Sequence, residues 1–413
     1  MKNTTLILLL FWSIQSIAQQ LDFKPFATPI LKLDSDTLFS NPDFVDRLIK
    51  DKRILLLGEL DHGDGSSFEL KTAMIQYLHK KHGFKHLVFE AGIINCDALW
   101  NAVEQGKSAV QLAPKHLYYI WSQVEETQAL FQYIDTAYTE GKPLKISGID
   151  PQFSGTHNEK SFIDLLKSQL TKLEVEEKRF QEFTYELSIM SKWLSYPKKK
   201  EHQIKESTFF AHLDYYKKKI LTQVKEEERA LWELYFENVA TFAKIKWEKR
   251  AGSFERRDQQ MFNNLKYWLE KYPNEKIIVW AANAHIIRND YLLKGKDSDR
   301  DLIGLKKLGD HIFNAFPEET YSIALSARRG STLNFLKKRK TIKMDPPKNE
   351  SLEERLKTLE FAFVDLKLME ATLELEEYES QLFYTNVRCL SRWSQHFDAV
   401  LFIEEMKPST PLW

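Results

Sequence analysis

Carboxylate and imidazole side chains follow several apolar segments of this 413-residue sequence, each at the point where the segment ends. The first case is 58–63 (GELDHG), which comes directly after the apolar run 54–57 (ILLL). Histidine titrates close to neutral pH, and a neighbouring carboxylate fixes its tautomer and raises its basicity. His62 is therefore a candidate general base, with Glu59 or Glu90 as its carboxylate partner. The alternative is a structural role, in which His62 caps the helix that follows.

Similar residues follow three later apolar segments. Glu90 follows 87–89, Asp150 follows 144–149, and Asn283 and His285 come just after 276–281. In open α/β proteins the carboxyl ends of parallel strands lie at one edge of the sheet, where ligands bind. We therefore expect residues more than two hundred positions apart to converge in one cleft. Glu90 could instead brace its turn, and Asp150 either orients a catalytic partner or caps the turn before Pro151.

Two further hypotheses concern charge at this cleft. His285, with help from Lys71 or Asn283, is the candidate to stabilise a developing oxyanion. Lys71 follows His62 by nine residues, and a solvent-facing lysine is the alternative for it. Glu59, His62, Glu90 and His285 would form a reasonable nitrogen and oxygen ligand set for a metal ion. The sequence has no His-Glu-x-x-His spacing and no cysteine cluster. The sequence signal for a metal is therefore weak, and a site holding a divalent metal ion is kept as the second hypothesis beside one with no cofactor.

The elements that must position these residues alternate between strands and helices. Helical patterns cover 68–77, with Gly83 suited to a helix C-cap, and 122–138. Strand-length apolar runs occupy 54–57, 87–89, 144–149, 276–281, 321–325 and 399–403. This alternation predicts an α/β fold with a mostly parallel central sheet flanked by helices.

Residues from about 155 to 255 interrupt the alternation. They are dense in Lys and Glu, and their apolar positions recur at helical period over 162–193 and 206–247. We predict two long amphipathic helices here, forming an insertion or lid between the third and fourth strands of one domain over 19–413. Aromatic residues of this region, such as Phe209 and Trp232, either line a pocket or pack helix against helix.

Composition and the N-terminal sequence limit the possible partners and compartment. Lys plus Arg and Asp plus Glu both number 59, so no global field favours nucleic acid or an anionic membrane. Residues 1–18 predict a signal peptide cleaved near Ala18, and hence a periplasmic or secreted protein with no membrane span. Export permits a disulfide between Cys96 and Cys389, and two buried free thiols are the alternative.

Several common catalytic motifs are missing from the sequence. It contains no Gly-x-Ser-x-Gly elbow, no phosphate-binding Gly-rich loop and no dinucleotide fingerprint. Serine hydrolase, kinase and dehydrogenase hypotheses thus lack their usual support. A hydrolase that activates water fits the remaining residues.

Motifs along nearly the whole chain after residue 18 resemble the erythromycin esterase family. They are 57–63 (LGELDHG), 82–84 (HGF), 88–92 (VFEAG), Trp121 with Glu125 and Glu126, 148–150 (GID), Arg257-Asp258 with Met261, 280–285 (WAANAH), 346–353, 397–403 and 407–411. The resemblance implies hydrolysis of a small-molecule ester or lactone, with macrolide lactone opening as the namesake activity. It gives His62 the role of water-activating base, aligns Glu59 and Glu90 with acidic active-site residues, and aligns His285 with a motif histidine. It also implies a mechanism without metal.

Three residues depart from the pattern of the antibiotic esterases. Ala282 stands where the family commonly has a histidine, Lys71 where those enzymes have arginine, and Asp61 where a small polar residue is usual. A lysine does not reproduce the bidentate geometry of a guanidinium. The resemblance therefore favours an ester or lactone hydrolase more than a macrolide hydrolase. A ligand-binding protein without turnover is the non-enzymatic hypothesis.

Overall fold

The structure is a computed structural model that describes residues 22–170, 177–192, 204–248, 250–295, 302–335 and 340–413. The predicted signal peptide, 1–18, lies outside these ranges. Within them, no helix combines the length and the apolar character that a membrane span requires.

The described ranges contain eleven strands and fifteen α-helices. The strands are β1 (Ala27–Pro29), β2 (Ile54–Leu57), β3 (Phe84–Gly92), β4 (Lys145–Asp150), β5 (Lys276–Trp280), β6 (Thr320–Asn334), β7 (Lys340–Lys343), β8 (Phe361–Asp365), β9 (Tyr378–Tyr384), β10 (Val387–Ser391) and β11 (Ala399–Met406). The helices are α1 (Pro42–Ile49), α2 (Gly65–His82), α3 (Ile93–Glu104), α4 (Ala109–His116), α5 (Tyr119–Ser122), α6 (Glu125–Thr139), α7 (Lys160–Leu170), α8 (Glu177–Ser191), α9 (Glu206–Leu221), α10 (Glu226–Trp247), α11 (Arg250–Lys271), α12 (Asn283–Ile286), α13 (Leu308–Ala315), α14 (Leu352–Arg355) and α15 (Leu366–Leu373).

Within the described part of the chain, nine strands form one sheet. Eight of them follow the order β1-β8-β11-β6-β2-β5-β3-β4, and β7 pairs with β6 as an antiparallel hairpin. The six strands from β11 to β4 are parallel, whereas β8 runs antiparallel to β11. The predicted α/β fold with a mostly parallel central sheet is therefore confirmed.

The central strands are buried on both faces, which explains their continuous apolar sequence. All four side chains of β2, from Ile54 to Leu57, are fully buried. Parallel strands covered by helices on both sides favour such runs over alternating patterns. Each of the six predicted strand segments lies in or overlaps one of β2 to β6 and β11, and Gly83 caps α2 in the left-handed conformation as expected.

The region between β4 and β5 differs in detail from the two predicted helices. The single helix predicted over 206–247 is wrong, because Thr222 ends α9 and α10 begins after Lys225. Val224 between them is buried, and three glutamates open α10, where the helix dipole favours negative charge. The pattern over 162–193 contains α7 and α8, while 171–176 and Trp193 lie outside the described residues.

The aromatic residues of this region pack against one another. Phe183 lies 5.6 Å from Phe209 and 5.2 Å from Tyr216 between ring centroids, and all three are buried. Helix packing is thus the arrangement observed for them. The lid role of the region stays a prediction.

The two cysteines are buried and are not joined by a disulfide. Cys96 lies in α3 and Cys389 in β10. The predicted alternative of a disulfide is therefore not present in the structure.

Candidate active site

Four parallel strands bring the predicted site residues to one edge of the sheet. Leu57 at the end of β2 and Phe89 near the end of β3 both pair with Trp280 of β5, and Phe89 also pairs with Gly148 of β4. The residues after these positions are therefore neighbours, because parallel strands in register end together. The pairing of these strands therefore brings together the residues that were predicted to converge at this edge, which are Glu59, Glu90, Asp150 and His285.

Glu59 is a fully buried carboxylate that accepts four hydrogen bonds from side chains. His62 Nδ1 donates to Oε1 over 2.8 Å, and Trp121 Nε1 donates to the same oxygen over 3.2 Å. Lys71 Nζ and Trp280 Nε1 each donate to Oε2 over 2.8 Å. Burial alone would raise the pKa of Glu59, but the charge of Lys71 and the contacts with His62 lower it. Glu59 is consequently ionised.

His62 sits between this carboxylate and the solvent, with 39% of its side chain exposed. Its ring meets Trp121 edge to face at 5.5 Å between centroids. Because ionised Glu59 only accepts, Nδ1 carries the proton and Nε2 is the basic nitrogen. Desolvation lowers the pKa of His62, but the Glu59 hydrogen bond and the charge of Glu90 outweigh it and raise the pKa above its ordinary value. His62 is thus oriented and made more basic, as a general base requires.

Lys71 is placed beneath Glu59 rather than toward the solvent. Its side chain is fully buried, and its ammonium lies 4.0 Å from the centroid of the Trp280 ring. Burial lowers the pKa of Lys71 to about 8, against the raising effect of Glu59. The structure therefore places this cation on Glu59, where it holds the carboxylate ionised.

A second ionic group surrounds Arg257 of α11. Its guanidinium donates to Asp150 through Nε over 3.1 Å and Nη2 over 2.6 Å, and Nη2 also donates to Glu90 over 2.8 Å. The backbone N–H of Ala282 donates to the other oxygen of Glu90. Burial would raise the pKa of Glu90, but His285 and Arg257 hold it well below its usual value. Asp150 thus orients Arg257 and joins β4 to α11.

His285 is the buried end of this group. Nδ1 donates to Asp258 over 2.7 Å, and Nε2 lies 3.2 Å from Glu90 and 3.0 Å from Arg257 Nη1. Desolvation opposes the charged ring, but Asp258 and Glu90 raise the pKa of His285 to about 9. The raised pKa favours the imidazolium at neutral pH, and the adjacent carboxylate of Glu90 stabilises its charge electrostatically.

Asn283 does not join either group. Its side-chain amide donates to the Leu325 carbonyl over 2.8 Å and accepts from the Leu325 N–H over 3.2 Å, while its backbone N–H donates to the Glu59 carbonyl. Asn283 is fully buried. The structure thus places it between α12 and β6, where it supports the loop of Glu59.

Two aspartates flank His62. The Asp61 side chain accepts from the His62 N–H over 2.8 Å, and buried Asp64 accepts from the Asp61 N–H over 2.9 Å. Desolvation raises the pKa of Asp61 and raises that of Asp64 well above its usual value. Burial therefore makes both carboxyl groups weaker acids than exposed aspartates.

A cavity of about 410 Å³ lies over these groups. Charged groups and His62 form one part of its wall and mostly aromatic side chains the other. The lining residues are Asp61, His62, Glu90, Tyr118, Tyr119, Ile120, Trp121, Gln152, Arg257, Asn334 and Phe335. The basic histidine and the guanidinium therefore face the same enclosed space.

The proposed metal-ligand set is divided between the two ionic groups. Among the described residues, no three His, Cys, Asp or Glu side chains are arranged to hold a metal ion. Glu59 and His62 are paired with each other, and Glu90 and His285 are engaged with Arg257 and Asp258. Lys71 is paired with Glu59, and Arg257 is paired with Glu90. A metal ion would need both of these carboxylates as ligands.

Sequence reasoning missed the site roles of Arg257, Asp258 and Trp121. All three lie in motifs that carry the family resemblance, but none follows a strand of the sheet, which was the criterion used. Arg257 and Asp258 are adjacent on α11, and one contacts Asp150 while the other contacts His285. Their adjacency on a helix that packs against the sheet is the sequence feature that could have identified Arg257 and Asp258 as site residues.

Comparison with known proteins gives the family. A sequence profile of the erythromycin esterase family matches residues 79–406. The chain therefore belongs to the erythromycin esterase family of hydrolases. A protein of Bacillus subtilis (strain 168) named "Putative hydrolase YbfO" is 27% identical over 414 residues, covering 90% of this chain and 88% of that protein.

Solved structures share the fold over almost the whole chain. A Bacillus cereus protein matches with a TM-score of 0.72 and 19% identity, covering 94% of this chain and 97% of its own. A protein described as a succinoglycan biosynthesis protein matches with a TM-score of 0.72 and 17% identity, with the same coverage. A mutant of the erythromycin esterase EreC in its open conformation matches with a TM-score of 0.70 and 16% identity, covering 94% and 99%.

Proposed function

We propose that the protein hydrolyses an ester or lactone by attack of a water molecule that His62 activates. The observation that carries the proposal is the hydrogen bond between His62 and the buried Glu59, because it fixes Nδ1 as the protonated nitrogen and leaves Nε2 as the base. Water loses a proton to Nε2 as its oxygen bonds to the ester carbonyl carbon. The imidazolium then returns this proton to the departing alkoxide, so the base is regenerated.

The remaining site residues position the base and stabilise charge. Glu59 orients His62, and Lys71 with two indole N–H groups keeps Glu59 ionised. Arg257 lines the cavity and is the cation nearest the solvent in its group, with 17% of its side chain exposed. We assign it the oxyanion role that the sequence suggested for His285 with Lys71 or Asn283, since all three of those are buried. Glu90 and Asp150 hold Arg257 in place, and His285 lies against Glu90.

We further propose that the reaction needs no metal ion. The support is that each imidazole and carboxylate of the suggested ligand set already holds a protein partner. Water activation is then left to His62. Retention of activity after chelator treatment, with no gain on adding divalent metal ions, is the expected behaviour.

Replacement of His62 tests the main proposal. A positioned general base contributes roughly 100- to 10,000-fold to rate, so His62→Ala should lower kcat/KM by that factor. Mass spectrometry of a macrolide, lactone and ester panel detects the gain of one water in wild-type reactions.

The control is a histidine remote from the cavity. His212 of α9 is bonded to Glu186, and His212→Ala should leave the rate unchanged. Thermal melting shows that both variants fold. Near-normal turnover by folded His62→Ala protein refutes the role of His62.

A further inference from the structure

Three aromatic rings meet at one side of the cavity, and two of them belong to its lining. The ring centroid of Tyr119 lies 5.4 Å from that of Phe335 and 5.5 Å from that of Trp413. Phe335 and Trp413 lie 6.2 Å apart with nearly parallel planes. Tyr119 and Trp413 are 41% and 42% exposed, and Tyr119 and Phe335 line the cavity. We call these three residues the mouth aromatic cluster.

The segments that carry this cluster are fastened to the loop of His62. The Gly63 carbonyl accepts from the N–H of Ser409 over 2.8 Å and from that of Leu333 over 3.1 Å. Leu333 and Ser409 precede Phe335 and Trp413 by two and four residues. The position of the rings relative to His62 is therefore set by hydrogen bonds to the residue next to the base.

The wall between the cluster and His62 is apolar as well. Tyr118, Ile120 and Trp121 lie along it, while the charged side chains of the cavity belong to the ionic groups described above. Aromatic rings pair best with other rings in offset or edge-to-face geometry, at centroid distances like those within the cluster. Tyr119 is both exposed and part of the cavity wall, so its ring can pack against one more such partner.

We propose that the mouth aromatic cluster selects esters that carry an aromatic ring close to the ester bond. The inference rests on the proposed hydrolase function and adds the substrate class. The ring of the substrate packs against Trp413, Phe335 and Tyr119, while its carbonyl lies between His62 and Arg257. Trp413 is a specificity residue in this arrangement and takes no part in proton transfer.

Three uncharged esters test the proposal by pH-stat titration. Ethyl acetate has no ring, benzyl acetate has one on the alcohol side, and ethyl phenylacetate has one on the acid side. Wild-type protein should prefer at least one ring ester over ethyl acetate in kcat/KM. Trp413→Ala should lower that preference by roughly threefold to tenfold, the range of a single aromatic contact.

Two variants serve as controls. Trp413→Phe keeps a ring and should retain most of the preference, whereas Tyr291→Ala removes a 66% exposed tyrosine away from the cavity and should not alter it. Equal preference in wild-type and Trp413→Ala protein overturns the proposal. Wild-type protein that favours ethyl acetate overturns it too.

Ring binding separates this inference from the proposed function. Saturation-transfer NMR of phenylacetamide should show contact with wild-type and His62→Ala protein, and a loss of that contact in Trp413→Ala. If no ester is hydrolysed, the proposed function fails, but this result still supports the aromatic site. An unchanged signal in Trp413→Ala rejects the aromatic site whatever the hydrolysis assay shows.

Discussion

Four donors converge on the two oxygens of Glu59, and they explain how a carboxylate stays charged with none of its surface exposed. A buried charge is costly unless it is paired and hydrogen-bonded, and here the ammonium of Lys71 supplies the opposite charge. The two indole N–H groups and His62 satisfy the remaining lone pairs. The residue acts on the cavity only through His62, so its function is to position the base.

At the same scale, His285 gives a pH-dependent contribution to stability. Its pKa in the folded protein is about 9, above the ordinary value of 6.5. Folding therefore favours the protonated ring, and this stabilisation is complete below about pH 6.5 and is lost as the pH rises through 9. The size is on the order of 3 kcal/mol, from the energy equivalent of a pKa unit.

The measurement compares wild-type protein with His285→Gln. Free energies of unfolding from urea titrations between pH 6 and 10 should converge as the pH rises, because only the wild type loses the His285 contribution. The glutamine leaves Asp258 without its charged partner, and this cost is nearly constant over that range. A difference between the two proteins that does not change with pH would contradict the assignment of an imidazolium.

At the scale of elements, the loop after β2 is pressed between β6 and the segment 408–413. A Cβ on Gly63 would lie 1.8 Å from the Leu333 carbonyl oxygen, far inside van der Waals contact. The backbone of Leu333 is held by its pairing with β7, so its carbonyl group has little freedom to move away from Gly63. The close contact between these two backbones therefore requires glycine at position 63. It also fixes the position of the neighbouring His62 relative to the sheet.

Gly63→Ala should therefore displace the base. A shift of about 1 Å at a catalytic group costs on the order of 100-fold in rate, so kcat should fall by that factor. The matched control is Gly252→Ala in α11, where the new methyl group meets only a side-chain oxygen at 3.9 Å. The control should keep its activity and its melting temperature, because the new methyl group contacts no backbone. Equal activity of the two variants in the ester assay would show that the loop does not set the position of His62.

At the scale of the whole molecule, we propose that the protein is exported. The proposal rests on residues 1–18, where an apolar core from Leu6 to Trp12 precedes small residues before Gln19. Expression in a Gram-negative host should yield periplasmic protein whose N-terminal residue, read by mass spectrometry, is Gln19. Leu8→Arg with Leu9→Arg interrupts the apolar core and should leave cytoplasmic protein that retains the segment. Wild-type protein found in the cytoplasm with residues 1–18 attached would reject export.

Much of the architecture follows from local patterns. The runs 54–57 and 276–281 predicted β2 and β5 because strands buried on both faces leave a continuous apolar signature. The break between α9 and α10 was missed because apolar residues on either side of Thr222 keep the helical period. A turn whose apolar residue is buried, as Val224 is, does not interrupt that pattern.

The sequence by itself determined the parallel sheet and the family resemblance, and it left Glu59 and Glu90 as alternatives for the carboxylate beside His62. Only the tertiary structure decided that Lys71 points at Glu59, and that Arg257 joins Asp150 and Glu90 across 107 and 167 positions of the chain. The physical reason is that these ion pairs depend on how α2 and α11 pack on the sheet. Packing is settled by contacts summed over the whole core, whereas periodicity and turn residues report only on near neighbours in the chain.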